Sequence, residues 1–270
     1  MKSIKMFWYS TIRIENMEKE NFGDFLSKYL VEKISKRNVV WVYPKKYFFF
    51  LRKHYLIIGS ILSHATKKSI VWGSGIIEKN EKVAKAKFLA VRGPKTRKRL
   101  IELGYDVPEV YGDPAILTPD YYHPKIEKKY KIGVICHYVD FDDISSKINF
   151  KNVRVINLLT NNIESKIDEI LSCETLITSS LHGLILGHTY KIPSLWVKFS
   201  EKLYGDDIKF FDYFESVNLD ITNSIYLKNE VISEQDLKEI LDNNSSKLLP
   251  SESFVNKVKE NLMNSCPFKN

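Results

Sequence analysis

The segment Thr178-Ser179-Ser180-Leu181-His182-Gly183 carries the strongest chemical signal in this 270-residue chain. It follows an apolar, β-branched run and opens an apolar stretch of helical character. Ser179 or Ser180 can therefore cap a helix that begins at Leu181. The unpaired N–H groups of a first helical turn, with the helix dipole, suit phosphate or carboxylate. Ser179, Ser180, Leu181 and Gly183 form that expected anion cradle. His182 falls in the same turn, where the dipole favours an uncharged imidazole able to accept or deliver a proton. The plainer alternative is a histidine that only hydrogen-bonds a neighbouring loop.

Arg92, in Ala90-Val91-Arg92-Gly93-Pro94, ends one strand pattern before a helix, where a guanidinium can fork onto a carboxylate or phosphate. The Lys95, Arg97, Lys98 and Arg99 that follow read as a solvated helix face. Three glycine turns also stand at strand ends: Asn21-Phe22-Gly23-Asp24, Ile58-Gly59-Ser60 and Gly73-Ser74-Gly75. Each lets a ligand approach the backbone, although none is a GxGxxG or a P-loop. Asn21, Gly23, Asp24, Gly59 and Ser60 are expected to bind a substrate group or to line a cleft. His137 ends a strand pattern and faces the same cleft. Asp140-Phe141-Asp142-Asp143 has the form of a metal-binding DxD but lacks partner ligands nearby, so it reads as a solvated turn and no metal is expected. His54, His64, His123 and His188 read as structural.

These groups need a frame. Strands are expected at Ile4–Tyr9, Val39–Tyr43, Tyr55–Ile58, Ser69–Trp72 and Phe88–Val91, rich in β-branched and aromatic residues. Helices are expected at Asp24–Ser35, from its 3.6-residue apolar period, and from Pro94 to Leu103, with Pro at its first position and Gly104 past its end. After a polar, proline-marked linker between Thr118 and Tyr130, further strands are expected at Lys131–Tyr138, Val153–Leu158, Thr175–Thr178 and Ser194–Val197. Helices at Glu164–Ser172 and Leu181–Tyr190 alternate with them, and the tail reads as two helices broken at Leu249-Pro250. Such alternation implies parallel sheets with helices on both faces. The expected fold class is α/β, with two Rossmann-like domains, residues 1–122 and 123–270, facing a cleft that lies beyond the strand ends.

Hydrophobic residues at 44% and charged residues at 27% exclude a disordered or fibrous chain. No apolar run is long enough to span a membrane, and the N-terminus does not read as a signal peptide. Three scattered cysteines without a CxxC argue against zinc or a disulfide framework and for the cytoplasm. Residues 1–125 hold 24 Lys+Arg against 12 Asp+Glu, whereas residues 126–270 hold 17 against 21. An anionic partner should therefore meet the first half. Within it, Lys45-Lys46-Tyr47-Phe48-Phe49-Phe50-Leu51-Arg52-Lys53 suits a membrane interface, with a buried core segment as the alternative.

The ordered set Asn21–Asp24, Ile58–Ser60, Val91–Pro94, Gly112–Leu117, Ser179–Ile185 and Phe210–Phe214 resembles the polysaccharide pyruvyl transferase family. The segment His137–Asp140 (His-Tyr-Val-Asp) is similar to one found in its bacterial exopolysaccharide ketal-pyruvyl members. The resemblance implies a GT-B-like fold and transfer of a pyruvyl group from phosphoenolpyruvate, as donor substrate without a further cofactor, onto two hydroxyls of a sugar. It implies His182 as the catalytic histidine, acid or base, and Arg92 as a donor-binding residue. Some members carry Arg where this chain has Ser180, which leaves Lys198 or Lys202 as a candidate replacement. The expected acceptor is a saccharide, lipid-diphosphate-linked, at the inner face of the plasma membrane. The alternative enzyme is a nucleotide-sugar glycosyltransferase of the same shape, but no acidic residue stands about 20 positions after a glycine turn to hold a ribose. A nucleic-acid partner is not expected, because the aromatics form no recognisable RNA-binding motif.

Overall fold

The computed structural model describes residues 2–46, 52–227 and 232–269. Its first half begins with strand β1 (Ile4–Phe7), helix α1 (Thr11–Glu15), the short strand β2 (Glu20–Asn21) and helix α2 (Phe22–Ser35). In α2, Phe22, Leu26, Leu30 and Val31 recur at helical spacing and are buried. The Asn21 side chain caps this helix by accepting from the Gly23 N–H at 3.0 Å. Strands β3 (Val39–Trp41), β4 (His54–Leu56), β5 (Ser69–Trp72) and β6 (Lys87–Ala90) follow, then helix α3 (Pro94–Glu102). The five longer strands form one parallel sheet in the order β3-β1-β4-β5-β6.

A 3-10 helix, Pro114–Asp120, leads into the second half. There β7 (Tyr130–Cys136), α4 (Phe141–Lys147), β8 (Val153–Asn157), β9 (Leu159–Thr160), α5 (Ile163–Leu171) and β10 (Cys173–Thr178) come first. They are followed by α6 (Leu181–Thr189), β11 (Ser194–Lys198), α7 (Ile208–Ser216), β12 (Ile225–Tyr226), α8 (Glu234–Asp242) and α9 (Glu252–Asn264). The second sheet is also parallel, in the order β12-β11-β10-β7-β8. Counted by its own strands in chain order, each sheet runs 2-1-3-4-5. In that topology the chain reverses its winding direction between the first and third strands, and a crevice opens at their carboxyl ends. The two crevices lie where β1 meets β4 and where β7 meets β10.

The halves share a core. Buried residues of α2, the 3-10 helix, α6 and α9 join both sheets into one apolar cluster, which includes Leu26, Leu30, Ile116, Leu184, Ile185 and Leu262. The antiparallel pair β2–β9 stitches Glu20 to Thr160 and Asn21 to Leu159. Across the same seam, Glu164 accepts from Tyr29 Oη at 2.7 Å and from Lys33 Nζ at 2.9 Å.

Several expectations need adjusting. The start of the expected linker is core, because Pro114 to Thr118 are all buried. The last helix, assigned by sequence to the second half, lies against the first: Trp72 Nε1 donates to Leu262 O at 3.0 Å, and Phe268 packs on Tyr55 and Trp72. Asp140 is not a solvated turn residue but is buried, accepting from Ser200 Oγ at 2.6 Å, while Asp142 and Asp143 are exposed on α4. The short elements α1, β2, β9 and β12, together with α4 and α7, were not foreseen. Tyr47 to Leu51 of the basic-aromatic block lie outside the described residues. Among the described residues, no helix is long and apolar enough to cross a membrane.

Candidate functional site

Both crevices open on a single cavity of about 430 Å³, within the ~300–1,000 Å³ range of small-molecule sites. The first sheet supplies Tyr9, just after β1, and Gly59, Ser60 and Ile61, just after β4. The second supplies His137 and Tyr138, after β7, and Ser179, Ser180, Leu181 and His182, after β10. Asn21 and Asp24, from the start of α2, and Lys202, Tyr204 and Lys209 complete the wall named here. A larger groove of about 1030 Å³ lies between α3 and α7. It holds no histidine, and Lys95 and Arg99 in its wall pair with Glu215 and Glu102. The smaller cavity is therefore the candidate site.

His182 is the second residue of α6, whose N-cap Ser180 accepts from the Gly183 N–H at 3.4 Å. Its Nε2 is 3.6 Å from Asp113 Oδ2. That is ion-pair range but too long for a hydrogen bond. Both atoms are buried and have no hydrogen-bond partner among the described residues, so each is the other's evident counterpart. Asp113 is held by its other oxygen, which caps the 3-10 helix by accepting from the Ala115 N–H at 3.0 Å. With Nε2 turned to Asp113, Nδ1 is the ring nitrogen left to meet a ligand. The imidazole packs directly on Gly23, where any Cβ would collide with Nδ1.

Asp24 faces the same ring. Burial pushes its carboxyl up to about 7, against the opposing pull of His182 and Lys209. Gly59 makes room for it: the residue sits at φ +102°, and a Cβ there would stand 2.8 Å from Asp24 Oδ1. His137 lines the cavity, and burial, with the nearby Lys209 charge, lowers its ring to about 4. Its backbone N–H donates to Ser179 Oγ at 3.2 Å. At the rim, Tyr138 Oη donates to Glu15 at 3.2 Å and links the two halves.

Arg92 is placed differently from the expectation. It is wholly buried and does not line the cavity. Its Nε donates to Asp212 Oδ2 at 3.1 Å, Nη1 to Ser60 Oγ at 2.6 Å and Nη2 to Ile76 O at 2.6 Å. Asp212, on α7, also accepts from the Thr96 backbone N–H at 2.9 Å and from Thr96 Oγ1 at 2.6 Å. Arg92 thus touches the cavity only through Ser60, and it fastens α7 to the first half.

Lys198 is likewise engaged, with Asp207 at 2.8 Å and Glu201 at 3.5 Å, and lies outside the cavity wall. Gly183 packs against Thr178 and Ile135 and does not line the cavity. Sequence reading missed Asp113 as the partner of His182, and it missed Lys209 altogether. His64, read as structural, also edges the cavity. Asp113 carried a usable signal: Gly-Asp-Pro marks an N-cap with one carboxylate oxygen to spare. Among the described residues, no group of three or more His, Cys, Asp or Glu is placed to hold a metal ion.

Two parallel 2-1-3-4-5 sheets with paired crevices, and a buried histidine–carboxylate pair between them, define an α/β protein with a candidate small-ligand site. The polysaccharide pyruvyl transferase family profile matches residues 21–200, two thirds of the chain. The chain is also 32% identical over 201 residues to "Uncharacterized protein L143" of Acanthamoeba polyphaga mimivirus, covering 72% of this chain and 69% of that protein. The chain belongs to the polysaccharide pyruvyl transferase family. The matched span takes in the α2 cap, Arg92, Asp113 and His182, and stops short of Lys209.

Proposed function

We propose that the protein transfers the pyruvyl group of phosphoenolpyruvate onto two hydroxyls of a saccharide, forming a cyclic ketal and releasing phosphate. The two sheets facing one cavity support a GT-B-like arrangement with the donor held between the halves. The observation that carries the reading is the buried pairing of His182 Nε2 with Asp113 Oδ2, two atoms with no hydrogen-bond partner among the described residues, at the meeting of both crevices.

The chemistry follows from that pair. Asp113 favours the tautomer with hydrogen on Nε2, leaving the Nδ1 lone pair as the base, and it stabilises the imidazolium once formed. His182 Nδ1 takes the proton from the first sugar hydroxyl, whose oxygen bonds to the donor's second carbon. The methylene carbon gains one proton and becomes a methyl group. The second hydroxyl then displaces phosphate and closes the ring, and its proton leaves with the phosphate. One hydroxyl proton therefore ends on carbon and the other on phosphate, so the reaction balances without oxidant or reductant. The cap residues Ser179 and Ser180 and the first turn of α6 offer polar groups to the donor's anionic oxygens.

The acceptor side is assigned to the basic first half. Lys45, Lys46, Arg52 and Lys53 are exposed, suiting a saccharide carried at an anionic membrane surface. To test the function, the full chain is incubated with phosphoenolpyruvate and a panel of hexose-terminated oligosaccharides. Expected are inorganic phosphate and, in D₂O, a ketal methyl carrying one solvent-derived deuterium. Turnover of a UDP-sugar without consumption of phosphoenolpyruvate would contradict the reading.

A further inference from the structure

We propose that Lys209 is the cation that holds an anionic group of the donor, phosphate or carboxylate, in the cavity; this rests on the phosphoenolpyruvate reading above. A donor with two anionic groups needs a fixed positive charge as well as hydrogen-bond donors. Among the described residues, five cavity-lining side chains can carry one: His64, His137, His182, Lys202 and Lys209. Burial disfavours the charged forms of His64 and His137. His182 faces Asp113 and is assigned to proton transfer, and Lys202 is exposed on its loop. Arg92 and Lys198 are held by Asp212 and by Asp207 and Glu201. Lys209 remains.

Its setting fits the task. Lys209 is the second residue of α7, and its ammonium forms no hydrogen bond or ion pair among the described residues; the Phe210 ring lies 5.4 Å away. Asp212, one turn further along the same face, is locked to Arg92 and Thr96 of the first half, which fixes Lys209 relative to both sheets. Burial, Arg92 and Lys198 disfavour its charge, whereas Asp207 and Asp24 favour it. The neighbouring His137 is itself held neutral by burial. The balance lowers the ammonium to about 8. An arriving anion supplies the missing compensation, so donor binding should be tight while Lys209 is protonated and should weaken as it deprotonates.

The test is calorimetric titration of the full chain with phosphoenolpyruvate at pH 7 and at pH 9.5. Wild type should lose affinity between the two. Lys209→Met should bind at least ~10-fold more weakly at pH 7, the scale of one charge-assisted hydrogen bond. Lys209→Arg should retain binding and lose the pH dependence, because its charge persists. Inorganic phosphate and pyruvate, titrated separately, show which anionic group depends on Lys209. Unchanged affinity in Lys209→Met, or a flat wild-type profile across the pH range, would overturn the assignment; the second needs no variant to fold. A wild type that binds no phosphoenolpyruvate at all would overturn the donor reading itself, a separately visible failure.

Discussion

At the residue scale the account turns on His182 and its neighbours. His182→Ala should fold and bind donor but lose turnover by about 10²–10⁴-fold, the range for a general acid or base. Asp113→Asn, which keeps the shape and removes the charge, should lower kcat far more than it changes KM. Steady-state kinetics on purified variants check both, and turnover within a few-fold of wild type would remove either residue from the mechanism. Asp24 gives a pH signature. Its folded-state value near 7 lies above the ordinary carboxyl value, so the stability it contributes is full below about 4. That contribution is lost as pH rises through 7. Asp24→Asn should therefore gain in melting temperature relative to wild type more at pH 8 than at pH 5, and equal differences at the two pH values would contradict this. The His182 motif was legible because strand end, cap serine and histidine are adjacent in sequence. Asp113 and Lys209 were not, since only the packing of α6 against the 3-10 helix brings Asp113 to His182, and only that of α7 against the first half brings Lys209 to the cavity.

At the element scale, the Arg92–Asp212 bridge is a structural fastener. Removing one partner of a buried ion pair strands the other's charge, so Arg92→Ala should cost about 3–5 kcal/mol. Urea unfolding measures this, and a cost under about 1 kcal/mol would contradict the assignment. Arg92→Lys should also be destabilised, since an ammonium cannot serve Asp212, Ser60 and Ile76 together. The sequence showed where a strand passes into a helix at Gly93-Pro94, but the burial of Arg92 depends on α7, which approaches from the other half. Elements with a cap and a clear apolar period, such as α2, α3 and α5, were foreseen to within about two residues. The two-residue strands β2, β9 and β12 have no period to read, and they exist because the seam and the sheet edge hold them.

At the scale of the whole molecule, two sheets of identical strand order place their crevices mouth to mouth, and the shared core holds them there. The alternation of strands and helices made this α/β plan legible. The crossing of α9 back to the first half was not, because it rests on contacts between Leu262 and Trp72. The uneven charge adds a surface expectation: near an anionic membrane each exposed Lys or Arg contributes roughly 1 kcal/mol, screened by salt. The protein should co-sediment with anionic vesicles at low salt, and replacing Lys45, Lys46, Arg52 and Lys53 by Gln should release it while activity on a short soluble acceptor survives. Indifference of the wild type to such vesicles would contradict this. The central claim, that one cavity joins donor to acid–base pair, is tested most directly by a crystal structure with phosphoenolpyruvate bound. The donor should lie between Lys209 and the start of α6, leaving room for an acceptor oxygen that stands roughly 3–3.5 Å from the donor's second carbon and within hydrogen-bond reach of His182 Nδ1. Donor bound in the groove between α3 and α7, or a cavity empty at saturating donor, would contradict it.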